Sequence, residues 1–530
     1  MKTRLLLRYP LVALLLIITI TTDAQLQQTH RFEKKQRMND EYFSIIPLKE
    51  DGLALLREQN DYEDGRQLWE CLLLDSTLTE RKALTLPIEP RYPLIGYEYI
   101  DNRLYLLFRM GEHTKNNLEL IDIDLAQGVE AKRYEIKPEL DFRITHFNKV
   151  GSSMILGGYV SNEPALLIYK MQDNQIKVVP GFFQKDNELV DVRVNQNSTF
   201  NAVIIDRSTR SERKLIFKTF DEDGKLLLDD VVPIEDDRTL QSSISSTLER
   251  EDLMVLGTWG DRTGKQSSGF FTLPVDPFSD QKINYITFGQ LEHFTDYMNP
   301  KRAARIRQNA KDAAVEGRKP NFTAYVMPYR LQESKEGYLM LAEVYHPASS
   351  SNPYFNSPYN NPYAMNPYMY NPFWGYYPGM RMYRPAYGYG NNNRNPDDIK
   401  AYASIVVAFD AQGKPKWDQS LSLDEMKKPS LEQVSDYYFG EKNVVILYKK
   451  ESELKAKTIE IRNGEAKELT EKIKLNEAED EIRHEREFED GVKFWYGNSF
   501  YAWGYHTVRN VHNKEDRTRD VFYINKVVVK

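Results

Sequence analysis

Cysteine is almost missing from this chain: Cys71 stands alone among 530 residues, so no disulfide forms within it. Charge of one sign is not in excess either. A formal net charge of −7 gives no case for wholesale binding to nucleic acid. No apolar run is long enough for a membrane span, since the uncharged stretch between Arg8 and Asp23 falls short of the roughly 20 residues required. Catalytic and metal motifs are absent as well. "RHEREF" supplies His484-Glu485 without a second histidine, and only His506 and His512 lie close in sequence, so no zinc-protease pattern exists. "GDRTGKQ" (260–266) is one residue short between its glycines for a phosphate loop and has no Ser or Thr after Lys265. "DEDGK" (221–225) lacks the other ligands of a calcium loop. There is no Gly-x-Ser-x-Gly, and Cys71 sits in the apolar stretch "LWECLLL", where a buried inert thiol is expected. These absences lead to the expectation of a non-catalytic chain with no metal and no cofactor.

What is present begins with an export signature. Lys2, Arg4 and Arg8 precede an apolar run from Leu11 to Ile20, and Thr22-Asp23-Ala24 offers small residues for cleavage. Residues 1–24 therefore read as a signal peptide, with the mature chain starting near Gln25. No cysteine follows the apolar run, so the usual bacterial lipid attachment is not expected. An exported protein of this size without disulfides is more typical of a bacterium than of an animal secretory route. The expected location is the periplasm or the outer membrane, or outside the cell.

The mature chain repeats itself. "AFDAQGKPKW" (408–417), "TFDEDGKLLL" (219–228), "DIDLAQGVEA" (122–131) and "IEIRNGEAKEL" (459–469) each read as strand, turn, strand. Each is preceded by a hairpin with an apolar second arm, such as "KEDGLALL" (49–56) or "GEKNVVIL" (440–447). Units of four short strands recur about every 50 residues, the period of propeller blades. Eight units begin near Tyr42, Tyr92, Phe142, Glu188, Ser242, Asn321, Leu431 and Ile482. The last holds only three strands, and Leu26 to Arg37 is the segment expected to complete it. The predicted fold is all-β, a closed β-propeller over residues 25–530, with eight four-stranded blades or, alternatively, seven.

"VVAFDAQGKPKWDQSL" resembles the repeat of quinoprotein-like (PQQ-like) propellers, in which an aspartate, a turn glycine and a tryptophan recur. Asp410, Gly413 and Trp417 match that pattern in one blade, while Asp223-Gly224 and Gly128 echo it without the tryptophan. The resemblance implies the fold and not the quinone. The chain is also similar to the propeller subunit of the outer-membrane β-barrel assembly machinery, although that family is lipid-anchored.

Two insertions interrupt the repeat. Residues 295–319 are rich in Ala, Arg and Lys and predict a basic helix, with Ala303, Ile306, Ala310 and Ala313 on one face. Residues 348–396 read "NPYFNSPYNNPYAMNPYMYNPFWGYYPGM" at their core and contain three arginines but no lysine or acidic residue. Repeated prolines exclude a helix or a central strand there. Both insertions are expected on the rim formed by the B–C and D–A connections, with strands lettered A to D from the axis outwards. B–C loops add Arg207, Arg210, Arg213, Arg262, Lys265, Arg509, Lys514, Arg517 and Arg519, while turns on the opposite rim carry aspartates such as Asp51, Asp75, Asp221 and Asp410.

Tyrosine and asparagine suit adaptable binding loops. The expected function is therefore to bind or scaffold a partner at the bacterial envelope through one basic, tyrosine-rich rim. Candidate contacts are Tyr354, Tyr359, Tyr363, Tyr368, Tyr370, Trp374, Tyr376, Tyr377, Arg381 and Arg384 in the insertion, with Arg262 and Arg305 nearby. The expected partner is an envelope or outer-membrane protein and not nucleic acid. The alternative is a propeller that binds or cleaves a glycan, using stacking aromatics or paired acids across the central channel.

Overall fold

Asp410 shows why the decapeptide recurs. Its Oδ1 accepts the backbone N–H groups of Gln412 at 2.9 Å and Lys414 at 2.8 Å. Gly413, at φ +75°, returns its N–H to the Asp410 carbonyl at 3.0 Å. Asp221 closes the next example identically, accepting from Asp223 and Lys225 at 3.0 and 2.8 Å, with Gly224 also at φ +75°. Asp75 does the same with Thr77 and Thr79 at 2.8 and 3.0 Å, and Leu78 takes the left-handed position at φ +61°. A short carboxylate at the strand end satisfies the turn's free N–H groups, so the pattern marks these three passages between outer strands.

The computed structural model describes residues 26–347 and 399–530, apart from 38, 91, 110–116, 127–130, 209–211, 262–265, 277, 280, 319–321, 429–430, 463, 487–488 and 514–515. Eight antiparallel sheets follow one another along the chain. Seven are simple four-stranded meanders: Ser44–Pro47 opens blade 1, Leu94–Ile100 blade 2, Phe142–Val150 blade 3 and Asn187–Val194 blade 4. Arg238–Ser245 opens blade 5, Tyr325–Ser334 blade 6 and Ser435–Phe439 blade 7.

Blade 8 departs from the pattern twice. Its inner strand is split into Glu481–Glu485 and Gly491–Tyr496, both paired with Ser499–Arg509. Its outer strand is the earliest of the described strands, Leu26–Lys35, antiparallel to Thr518–Val529 with Leu26 opposite Val529. The expected completion of the last blade is thus observed, and eight blades replace the alternative of seven. Among the described residues the only α-helix is α1, Pro300–Glu316, shorter at both ends than the expected 295–319. Asn299 caps its start by accepting the Lys301 N–H, Pro300 takes the first turn, and Gly317 ends it at φ +67°.

Small sheets cannot bury their own faces, so every blade packs on two neighbours. Leu55, Leu72 and Leu74 of blade 1 pack with Trp495, Tyr501 and Phe522 of blade 8, closing the circle. Trp495 Nε1 also donates to the Gly52 carbonyl at 3.0 Å across that seam. Other seams carry polar ties between inner strands. Asp191 accepts the Ser245 N–H at 2.7 Å, Glu98 accepts from Asn148 at 3.3 Å, and Asp436 accepts the Phe494 N–H at 2.9 Å. The outer turns add a second set, each latched onto the preceding blade. The Thr272 hydroxyl donates to the Gly413 carbonyl at 2.8 Å, Gln419 to Gly464 at 2.9 Å, Lys177 to Asp223 at 2.7 Å and Lys526 to Ser76 at 2.9 Å.

Candidate functional site

Blade 6 is built to carry extra chain. Its outer three strands, Gly337–Pro347, Ile399–Phe409 and Pro415–Lys428, are 11, 11 and 14 residues long. Residues 348–398 connect the first two of these at the B–C rim. The first insertion enters the same blade through the D–A connection from blade 5, so both insertions do fall on one rim.

The first insertion reaches the strand that follows the second. Tyr297 of the first insertion lies 6.4 Å from Tyr402, on the strand that leaves the second. Below the other foot of the second insertion, Tyr325 packs against Tyr345 at 5.6 Å and against His346 at 5.7 Å. Burial raises the Tyr325 hydroxyl, as it does that of Tyr297, so both stay neutral.

Helix α1 lies by its small residues against the short turn Phe288–Gln290. Ala303, Ile306, Ala310 and Ala313 are all buried, as their spacing predicts. A methyl group on Gly289 would sit 2.5 Å from the Ala310 Cβ, so the approach requires glycine. Arg307 anchors the helix by donating to the Glu292 carbonyl and to Asp296, both at 2.9 Å.

The candidate contacts divide sharply. Arg305 is exposed on the outer face of α1. Arg262, and every candidate from Tyr354 to Arg384, lies outside the described residues. Several arginines assigned to the basic rim turn inward instead. Arg207 pairs with Glu188 at 2.5 Å, Arg519 with Asp480 at 2.6 Å, and Arg213 is buried with its guanidinium 3.3 Å from the Asp236 carbonyl. Carbonyls and carboxylates at strand ends draw these cations inward; among the described residues of this rim, exposed basic charge stands on α1 and at Arg517. On the opposite rim, Asp75, Asp221 and Asp410 serve as turn caps.

Acids do stand on the inner strands, but Glu98, Asp191, Glu333 and Asp436 are buried and tied into the seams. Burial raises the carboxyls of Glu98 and Asp191 above the ordinary range.

One cluster escaped the sequence reading. Lys449, at the end of a blade 7 strand, is wholly buried and reaches Glu485, the last residue of one half of the split inner strand of blade 8, and Asp490, just before the other. Lys428, from the end of blade 6, lies 3.5 Å from Asp490, and His506 Nε2 lies 3.6 Å from Glu485. Burial alone would raise Glu485, yet His506, Lys449 and Ser452 bring it down to about 2. Burial opposes the Lys449 charge too, but Tyr523, Asp490 and Glu485 hold its ammonium above the ordinary value. Desolvation keeps His506 neutral. With Lys449 and the His506 ring fully enclosed, the arrangement fastens three blades and presents no reacting group. Among the described residues no set of three His, Cys, Asp or Glu side chains is placed to hold a metal, and no helix is long and apolar enough to cross a membrane.

No protein-family model matches the chain, and no curated protein matches it by sequence. Solved structures do. The β-propeller domain of Vanderwaltozyma polyspora Nup133 matches with a TM-score of 0.39 and 9% identity, over 90% of this chain and all of that one (100%). The polysaccharide lyase Uly1 matches with a TM-score of 0.36 and 9% identity, over 92% of this chain and 99% of that one. Prolyl oligopeptidase B from Galerina marginata matches with a TM-score of 0.31 and 13% identity, over 57% of this chain and only 39% of its own length. At such distances the likeness bears on the fold alone. Two of these three, the lyase and the oligopeptidase, are enzymes by name, and the expectation of a non-catalytic chain is withdrawn. A ring of blades presents loops around a channel whatever chemistry those loops hold, so missing motifs do not exclude a reaction.

Proposed function

We propose that this chain is an exported propeller that binds or scaffolds an envelope protein through the rim carrying both insertions. The observation behind this reading is the contact over blade 6 between Tyr297 of the first insertion and Tyr402, on the strand that follows the second, at 6.4 Å. Long connections inside compact domains are uncommon and are usually functional. Here two of them share one buttressed base, and one is rich in Tyr and Asn with arginine as its only charge from 348 to 396. Tyr354, Tyr359, Tyr363, Tyr368 and Trp374 are the contact anchors in this reading, and Arg381, Arg384 and Arg305 favour a partner with exposed carboxylates or polar groups.

The test removes residues 350–394. The shortened protein keeps its melting temperature within a few degrees, because its foundations lie in the strands of blade 6, and it no longer captures the partner that the full chain retains from envelope fractions. Unfolding of the shortened chain makes the insertion structural. Undiminished capture moves the site elsewhere, and retention of a polysaccharide instead of a protein makes the partner a glycan.

A further inference from the structure

Helix α1 carries its charges the wrong way round. Lys301 and Arg302 occupy the first turn, which holds no acidic residue, and Arg305 follows one turn later. The last turn has no basic residue and ends at Glu316. Cations at the positive end of a helix dipole destabilise it, and so do like charges four apart, such as Lys301 and Arg305. Lys301, Arg302, Arg305 and Lys311 are all exposed, and none makes an ion pair among the described residues. A helix that only needed to pack by its alanines would tolerate glutamate at these positions and gain from it. Local rules broken without a local gain point to an interaction surface.

The opposite rim of the same two blades holds the counterpart. A cleft of about 790 Å³ opens between the A–B turns of blades 5 and 6, lined by Glu249, Arg250, Glu251, Asp252, Glu333 and Lys335. Its internal pairing is incomplete. Arg250 is held by Asp252 at 2.7 Å, and Glu333 accepts the Arg250 N–H at 2.8 Å and the Thr247 hydroxyl at 3.0 Å. Glu249, which shares a hydrogen bond with Gln196, and Glu251 remain exposed, without an ion pair among the described residues. The cleft is therefore anionic where α1 is cationic.

We propose that the basic face of α1 docks in this cleft of a second copy of the chain, so that copies associate head to tail. One surface type satisfies both unpaired sets, and another copy supplies both at once. The two patches lie on opposite rims, so the contact is heterologous: each bound pair still offers a free helix and a free cleft, and the assembly grows instead of stopping at a dimer. The inference is independent of what the insertion binds.

Sedimentation velocity on the mature full-length chain tests it. At low salt the weight-average mass rises with concentration, and at about 1 M salt, where the screening length is about 3 Å, it returns to that of one chain. Arg302→Glu/Arg305→Glu and Glu249→Lys/Glu251→Lys each weaken self-association by about tenfold or more. Mixing the two variants restores association, since the intact helix of one meets the intact cleft of the other and the two reversed surfaces are again opposite in sign. Should a reversal unfold the chain, Arg302→Gln/Arg305→Gln and Glu249→Gln/Glu251→Gln give the same reading with a smaller effect. A single-chain mass at low salt overturns the proposal, as does association that either set of variants leaves unchanged.

Discussion

Lys449 Nζ donates to Asp490 Oδ2 at 2.6 Å in the seam between blades 7 and 8, and it also reaches Glu485. The lysine side chain is wholly enclosed, so its removal strands two carboxylates in a poorly solvated site. Lys449→Met is expected to lose about 3–5 kcal/mol in urea unfolding, with the seam opening before the other blades. Replacing Glu485, Asp490 and Lys449 together by apolar residues of similar size recovers much of that loss.

Glu343 gives the fold a pH dependence of unusual sign. It lies fully buried on blade 6 and accepts the Ser435 N–H and hydroxyl at 2.7 Å each, but burial dominates and pushes its carboxyl to about 7. An acid whose folded value exceeds its unfolded value of 4.5 binds its proton more tightly in the folded state. Its contribution is full below pH 4.5 and declines as pH rises towards 7. Glu343→Gln flattens stability between those limits, measured by thermal unfolding across the range.

Glu485 acts in the opposite direction. Held at about 2 against an ordinary 4.5, it stabilises the fold above pH 4.5 and loses that contribution as pH falls towards 2. Glu485→Gln is expected to weaken the protein at neutral pH while removing part of its acid-unfolding transition.

Two turn glycines separate backbone strain from docking. Gly413 and Gly464 have φ of +75° and +72°, but a Cβ on Gly413 would lie 2.3 Å from Thr272 Oγ1, whereas one on Gly464 meets nothing. Gly464→Ala costs about 1 kcal/mol from strain alone. Gly413→Ala costs about 2–3 kcal/mol, since it also forces the latch between blades 5 and 6 apart. Equal losses in chemical denaturation would show that the latch adds nothing.

Deleting Leu26–Lys35 leaves blade 8 with an open edge. The shortened chain is expected to lose cooperative unfolding and to aggregate, because the freed strand Thr518–Val529 offers unpaired N–H and C=O groups to other chains. Light scattering during refolding checks this.

Much of this architecture was legible because it is local. A carboxylate capping a turn two and four residues ahead leaves the same short signature at Asp75, Asp221 and Asp410. The buried face of α1 follows from alanines three and four apart, and even the borrowed outer strand could be anticipated from a last unit one strand short. What sequence did not disclose joins residues of different blades. Nothing near Asp436 announces that it will accept the Phe494 N–H, and nothing near Lys449 announces Glu485, because such partners share no period. Arg207, Arg213 and Arg519 misled for the same reason: charge counts do not show which carbonyl or carboxylate waits across the seam.

The borrowed strand also sets a timetable. Gln28 and Asn525, joined by a hydrogen bond at 2.8 Å, are 497 residues apart in sequence. The earliest of the described strands can therefore find its place only after the far strand, Thr518–Val529, has been made. Until then every nascent form carries two unpaired sheet edges and a loop-closure cost not yet recovered. Blades can assemble one by one along the growing chain, but the ring becomes a single cooperative body in one late step. A chain stalled or truncated before Thr518–Val529 is thus a different hazard from one broken in the middle: well packed blade by blade, and still sticky at both edges.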